Sequence, residues 1–197
     1  MAGRAQSLVH EVPQAALTSS RGQGFARHAQ QTSREGRNLT YIAKLGEPSA
    51  VVRQEAKTLE ISPETGTIAT FVAPGSVTRG EFGLFRWDMP GDTGGAPGGH
   101  FHRAFSESFY VVSGTVSFYN GSDWLDLSEG GFLYVPPGGI HGFRNRSGAA
   151  ASMLIVFSPG IARERYFEEL AEIRRSGREL SEEEWAELYV RHDQVNL

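Results

Sequence analysis

The stretch HFHRAFSESFYVVSG at residues 100–114 is where the reading of this chain begins. His100 and His102 stand two apart. On a strand, where successive side chains alternate between faces, both imidazoles point the same way. Glu107 follows five residues later. A bend or bulge over 103–106 returns its carboxylate to that side while FYVV, residues 109–112, runs on as strand. A fourth donor, His141, comes from a later strand, after the turn VPPGG at 135–139. A lone His-x-His is more often a surface pair than a ligand pair, and a lone buried histidine is usually hydrogen-bonded core. Taken together, three neutral imidazoles and one carboxylate make a nitrogen and oxygen donor set that suits one divalent transition-metal ion: Fe, Ni, Mn, Cu, Co or Zn.

Outward from this stretch, short β-type runs follow closely at 82–87, 109–112, 115–119, 124–127, 132–135, 140–144 and 152–157. Turns at Ser113-Gly114, Asn120-Gly121 and Pro137-Gly138-Gly139 part them, and Asn-Gly between two such runs is a strong hairpin signal. Upstream, 39–42 and 67–72 also read as strands, between punctuation at Ser62-Pro63 and Pro74-Gly75. Many short strands with no helix between them predict an all-β sandwich or barrel. After Pro159 the apolar period changes to about 3.6 residues. Tyr166, Phe167, Leu170, Ala171 and Ile173 form a helical stripe, with Ser158 as its cap and Pro159 in the first turn. Ser181 and Glu184 form a capping box before Trp185, Leu188 and Tyr189. Both stripes are expected to pack on the outside of the barrel. Residues 1–37 are rich in Gln, Ser, Arg, Gly and Ala without apolar periodicity and read as an arm, loose or docked. The expected organisation is therefore an arm at 1–37, a β-barrel at 38–158 and a helical segment at 159–197.

Glycine and proline stand at fixed offsets from the four candidate ligands. Gly94 is followed by five residues, His100, Phe101, His102, four residues, Glu107, six residues and Gly114. Gly130 is followed by five residues, Pro136, Pro137, Gly138, two residues, His141, three residues and Asn145. Glycines permit positive φ and close backbone approaches at barrel corners, and the Pro136 to Gly139 turn sets the entry of the strand that bears His141. In these two runs the chain resembles the cupin superfamily, both of whose signatures are present with no position missing, over about residues 81–157. The resemblance implies a double-stranded β-helix, or jelly-roll, barrel. It also implies that His100, His102, Glu107 and His141 are the metal ligands. Asn145 is expected to bond backbone at a corner.

Four protein ligands leave one or two open positions on a five- or six-coordinate ion, so a substrate or O2 can reach the metal. Phe85, Trp87, Phe109, Val111, Tyr134, Phe143, Met153, Ile155 and Phe157 are the candidate pocket residues, filling the core first and lining a cavity second. Among cupins the single barrel with a full ligand set and a C-terminal helical segment looks most like the quercetinase-like dioxygenases. That resemblance implies an oxygen-using dioxygenase acting on a small aromatic or enolisable molecule, with Glu107 as ligand or proton acceptor. The same apparatus leaves open a redox-neutral, polyketide-cyclase-like cyclase, isomerase or lyase, and a non-catalytic ligand-binding cupin.

Composition excludes other classes. Formal charge is −4 without long runs of either sign, so neither nucleic acid nor a membrane surface is an expected partner. With no cysteine there are no thiolate metal sites or cysteine nucleophiles. No apolar stretch reads as a signal-peptide core or membrane span, so a cytoplasmic location is expected. Gly91 to Gly99 lacks the lysine and following helix of a phosphate-binding loop and reads as the approach to the ligand strand, or a lid. His10, His28 and His192 have no partner at ligand spacing, and Arg86 and Asp88 are as readily solvated as placed at a barrel mouth. Segment 38–77 offers an edge strand, and a homodimer is expected.

Overall fold

The computed structural model describes residues 31–32, 38–39, 41, 43–93 and 99–197. They fall in two units, Met1–Ser49 and Ala50–Leu197. In the first unit, β1 (Gln31–Thr32) pairs antiparallel with β2 (Asn38–Leu39). Most of the arm expected at 1–37, and Ile42 of the strand expected at 39–42, lie outside the described residues.

The second unit runs β3 (Lys57–Ser62), β4 (Thr67–Ala73), β5 (Gly83–Met89), β6 (His100–Phe101), β7 (Ser106–Ser113), β8 (Thr115–Tyr119), β9 (Trp124–Ser128), β10 (Phe132–Val135), β11 (Gly142–Arg144), β12 (Ala151–Ser158), α1 (Arg163–Ser176), α2 (Glu182–Arg191) and β13 (Val195–Asn196). Antiparallel pairing builds a six-stranded sheet in the order β10-β7-β12-β5-β4-β3, a three-stranded sheet β11-β8-β9, and the pair β13-β6. Alternation decides what faces inward: Phe85, Trp87 and Met89 on β5, Phe109 and Val111 on β7, Val116 and Phe118 on β8, and Met153, Ile155 and Phe157 on β12 are all buried. The Phe109 ring joins the sheets, 5.1 Å from Phe118 and 5.7 Å from Phe143 of β11. This is the all-β barrel that the sequence predicts.

The corner between β7 and β8, where the chain passes from one sheet to the other, needs glycine. Gly114 has φ +73°, and a Cβ there would stand 2.5 Å from the Ala150 carbonyl oxygen. Asn145 behaves as expected: fully buried, it donates from Nδ2 to the carbonyl of Ala149 at 2.7 Å and accepts at Oδ1 from the Ser147 amide at 3.0 Å.

The C-terminal helices depart from expectation in two ways. Ser158 does not cap α1; it ends β12, paired with Ser106, and the helix starts at Arg163 after an Ala162 that makes no side-chain cap. The strand pairing outweighs the local cap signal. The apolar stripe of α1 also packs on inward-facing residues rather than on the barrel's outside. Phe167 lies 5.2 Å from Phe85, 5.0 Å from Trp87 and 6.2 Å from Phe157. An aromatic core left open at one end exposes more apolar area than an outer face does, so the helix closes it. The capping box of α2 forms as predicted, Ser181 Oγ accepting from the Glu184 amide and Glu184 accepting from the Ser181 amide. The ligand strand expected at His100 is present as β6, while β3 and β13 are additions to the expected set.

Phe85 is fully buried, edge-to-face with Phe71, Phe157 and Phe167 at 5.2–5.6 Å. Phe85→Ala is expected to cost about 3–5 kcal/mol of stability in denaturant unfolding. A loss below about 1 kcal/mol would contradict a closely packed centre.

Candidate metal centre

His100 and His141 are bound to each other through their backbones. Each donates its N–H to the other's carbonyl at 2.9 Å, an isolated antiparallel bridge. That bridge sets the imidazoles side by side, with ring centroids 4.3 Å apart. On its other edge β6 pairs with β13, Asn196 opposite His100 and Val195 opposite Phe101. The chain bends at Arg103 and Ala104 before β7 begins, and the second residue of β7, Glu107, turns inward. The bend expected over 103–106 is therefore present. One potential donor atom from each of His100, His102, Glu107 and His141 lies within 4.8 Å of the others. His102, Glu107 and His141 are 3%, 5% and 1% exposed, so water reaches them hardly at all.

The hydrogen bonds behind the rings determine what the rings present. His102 Nδ1 lies 2.5 Å from the Asp193 carbonyl oxygen and His141 Nδ1 lies 3.0 Å from that of Gly139. A carbonyl only accepts, so each Nδ1 carries the proton and donates it, and each Nε2 presents a lone pair. Both Nε2 atoms nevertheless face the same carboxylate oxygen, Glu107 Oε2, at 3.2 Å for His102 and 2.9 Å for His141. His102 Nε2 is buried and makes no well-aligned hydrogen bond. With both rings neutral, three acceptors would face one another, so the cluster calls for a cation, either a proton on His141 Nε2 donated to Glu107 or a metal ion between them.

Protonation follows the same logic. Burial, with the neighbouring His141 second, pushes His100 down to about 3, so its imidazole is neutral. Burial works against the Glu107 carboxylate, but His102 and His141 at its oxygens more than offset that and hold it below the usual carboxylate range. Burial also pulls His141 down, yet the bond to Glu107 raises it overall. A proton is the smallest cation that meets this demand. Neutral imidazole and ionised carboxylate are also the states in which these groups ligate a metal, so the cluster can hold a divalent ion.

Residues 86–157 match the profile of the Cupin domain family, Cupin_2. These residues form a cupin domain. No curated protein matches the chain. Among solved structures the chain is similar to a sugar phosphate isomerase of the cupin superfamily from Silicibacter pomeroyi, at 20% identity and TM-score 0.41, over 47% of this chain and 59% of that one. It is similar also to KdgF from Halomonas sp., at 18% identity and TM-score 0.47, over 57% of this chain and 96% of that one. A third is the polyketide cyclase RemF from Streptomyces resistomycificus, at 20% identity and TM-score 0.46, over 57% and 80%. The chain thus spans 59% of the length of the first of these. Likeness at this level says nothing about the reaction.

A cavity of about 200 Å³ adjoins the cluster, with His100 and Glu107 on its wall. Of the residues expected to line a pocket, Trp87, Phe143, Ile155 and Phe157 do so. Phe85, Phe109, Val111 and Met153 are buried in the core and do not line it. Tyr134 is a correction: it is 56% exposed, because inward positions on β10 fall to Leu133 and Val135. Gly94 and most of the stretch expected to be a lid lie outside the described residues, as do His10 and His28. Arg86 and Asp88 pair with each other on the exposed face at 2.9 Å, and His192 bonds Glu169 at 2.8 Å.

The cupin domain leaves part of the site to residues that sequence reasoning passed over. Asp193 has φ +51° and follows α2. Its carbonyl orients His102, and its Oδ2 accepts from the amides of Arg103 and Ala104 at 3.0 and 2.7 Å. Arg163, Tyr166, Phe167 and Gln194 line the cavity from the C-terminal segment. For the residues of α1 a signal existed, since Arg163, Phe167, Leu170 and Arg174 recur at helical spacing. For Asp193 there was none.

Asp193→Ala removes the clamp on the bend between His102 and Glu107 while leaving every candidate ligand in place. Affinity for Zn(II), measured by chelator competition, is expected to fall about 10- to 100-fold, with Asp193→Asn intermediate. Unchanged affinity in Asp193→Ala would show that the Asp193 carboxylate does not set the bend between His102 and Glu107.

Proposed function

We propose that the protein is a metal-dependent cupin enzyme acting on a small aromatic or enolisable molecule, with O2-using dioxygenase chemistry as the leading reaction. The observation that carries the reading is the convergence of three histidines and one glutamate beside a cavity whose wall includes Trp87, Phe143, Phe157, Tyr166 and Phe167. His100, His102, Glu107 and His141 would hold the ion. When bound, a divalent ion there supplies Lewis acidity toward a substrate oxygen and, if redox-active, electrons for O2. The chain's residues do the rest. Glu107 is ionised and inside the site, so it serves as ligand or accepts a substrate proton at Oε1 or Oε2. Trp87, Phe143 and Phe157 exclude water and offer flat apolar walls.

Size narrows the substrate class. Drug-sized ligands occupy pockets of roughly 300–1,000 Å³, and this cavity is about 200 Å³. We infer a substrate smaller than a flavonol, with a single ring or short chain. We propose further that the protein is a homodimer. Exposed Tyr110, Phe132 and Tyr134 on β7 and the edge strand β10 support that reading. A monomer mass in sedimentation would refute it.

Oxygen uptake by the Fe(II)-, Ni(II)- or Cu(II)-loaded protein across a panel of single-ring and short enolisable compounds tests the main reading. Uptake is expected for at least one compound and should vanish on chelation and in His100→Ala. No uptake by fully loaded protein across the panel excludes the dioxygenase. Turnover of the same panel by Zn(II)-loaded protein without O2 would assign the redox-neutral chemistry instead.

A further inference from the structure

Arg163, the first residue of α1, lines the same cavity as His100 and Glu107 and is 4% exposed. Its terminal nitrogens donate to the His192 carbonyl at 3.0 Å and to Gln194 Oε1 at 3.2 Å. Its Nε is buried and has no hydrogen-bond partner. Aromatic rings enclose the guanidinium, Tyr166 at 4.0 Å and Phe157, Phe167 and Phe105 at 5.5–5.7 Å.

Among the described residues no carboxylate is in ion-pair contact with this cation. The carboxylates whose charge it feels are Glu107 and Asp193. Both are engaged elsewhere, Glu107 with the two histidines and Asp193 with the amides of Arg103 and Ala104. Burying a guanidinium without a counter-anion is costly, and a protein that keeps one beside a cavity with an N–H to spare has a vacancy for negative charge. Two more arginines strengthen the field. Arg144, stacked on Trp124 at 3.5 Å with its Nε also buried and unpartnered, lines the cavity, as does Arg174.

We propose that the cavity takes a small organic carboxylate, whose oxygens bond the Nε edge of Arg163 while its apolar part lies along the aromatic walls. The carboxylate is favoured over a phosphate monoester on two grounds. Its planar pair of oxygens matches the guanidinium fork, and a single charge is cheaper to move into an apolar cavity than the nearly double charge of a phosphate. This deepens the proposed function, since it rests on the cavity being the substrate site.

Calorimetric titration of the full chain with benzoate, benzamide and phenyl phosphate, metal-free and Zn(II)-loaded, tests it. Benzoate is expected to bind both forms, with benzamide at least about tenfold weaker and phenyl phosphate weaker than benzoate. Arg163→Gln should lower benzoate affinity at least about tenfold with circular dichroism unchanged. Should that variant not fold, Arg163→Lys, which keeps the charge and loses the fork, should weaken benzoate by a smaller factor while benzamide stays unaffected. Equal affinity for benzoate and benzamide, or benzoate binding that requires Zn(II) and ignores Arg163→Gln, overturns the proposal. Tighter binding of phenyl phosphate overturns the carboxylate assignment. Benzoate binding through Arg163 in a protein that consumes no O2 would leave this inference standing and remove the dioxygenase alone.

Discussion

The rest of the site depends on one electrostatic demand: lone pairs of His102, His141 and Glu107 converge on a point that water hardly reaches. Left to themselves, acceptors at 2.9–3.2 Å repel, and a carboxylate 5% exposed would protonate. The surrounding backbone removes the easy escapes. Carbonyls of Asp193 and Gly139 occupy the Nδ1 atoms, so the rings cannot turn a proton inward without leaving a carbonyl unsatisfied. The bridge between His100 and His141 keeps their strands from parting. A cation is the remaining way to satisfy the cluster.

The cupin domain at 86–157 contributes the candidate ligands but not everything that orients them. Orientation of His102, closure of the aromatic core and the buried cation of the cavity come from residues 163–197. Phe167 closes the core, Asp193 clamps the bend after His102, and β13 covers the edge of β6. The cavity is walled jointly, by barrel residues such as Trp87, Phe143 and Phe157 and by Arg163, Tyr166, Phe167 and Gln194 of the appended segment.

That division explains what was legible in the sequence. Period-two alternation and turn residues carry the strands from β4 to β12, because each inward residue meets a local, repeated constraint. The four candidate ligands were readable for the same reason, since His100 and His102 share a face by parity and the glycine offsets tie Glu107 and His141 to barrel corners. Tyr134 is among the expected pocket residues, yet parity on β10 turns it outward. The helices were readable as helices, yet their destination was not, because a stripe specifies an apolar face without naming the surface it meets. Arg163 does sit at helical spacing with Phe167 and Leu170, and its charge within an apolar face marks a buried site, whereas Arg174, a turn further on, is exposed and donates to the Ile61 carbonyl. Short pairings such as β6 with β13 join residues almost a hundred positions apart and leave no local trace.

Residues 192–194 connect the two halves of the site. The His192 carbonyl and the Gln194 side chain hold Arg163, while between them the Asp193 carbonyl holds His102. Arg163 and His102 are thus positioned by one tripeptide, whose left-handed residue at Asp193 leaves little freedom to move one contact without the other. A carboxylate that draws on Arg163 pulls on the same backbone that orients His102 for the metal. Reciprocity then follows: whatever preference the anion has for the metal-loaded arrangement, the metal has for the anion-bound one. On the proposal that the cavity takes a carboxylate, the anion's contact through Arg163 and the metal's through His102 therefore meet at residues 192–194.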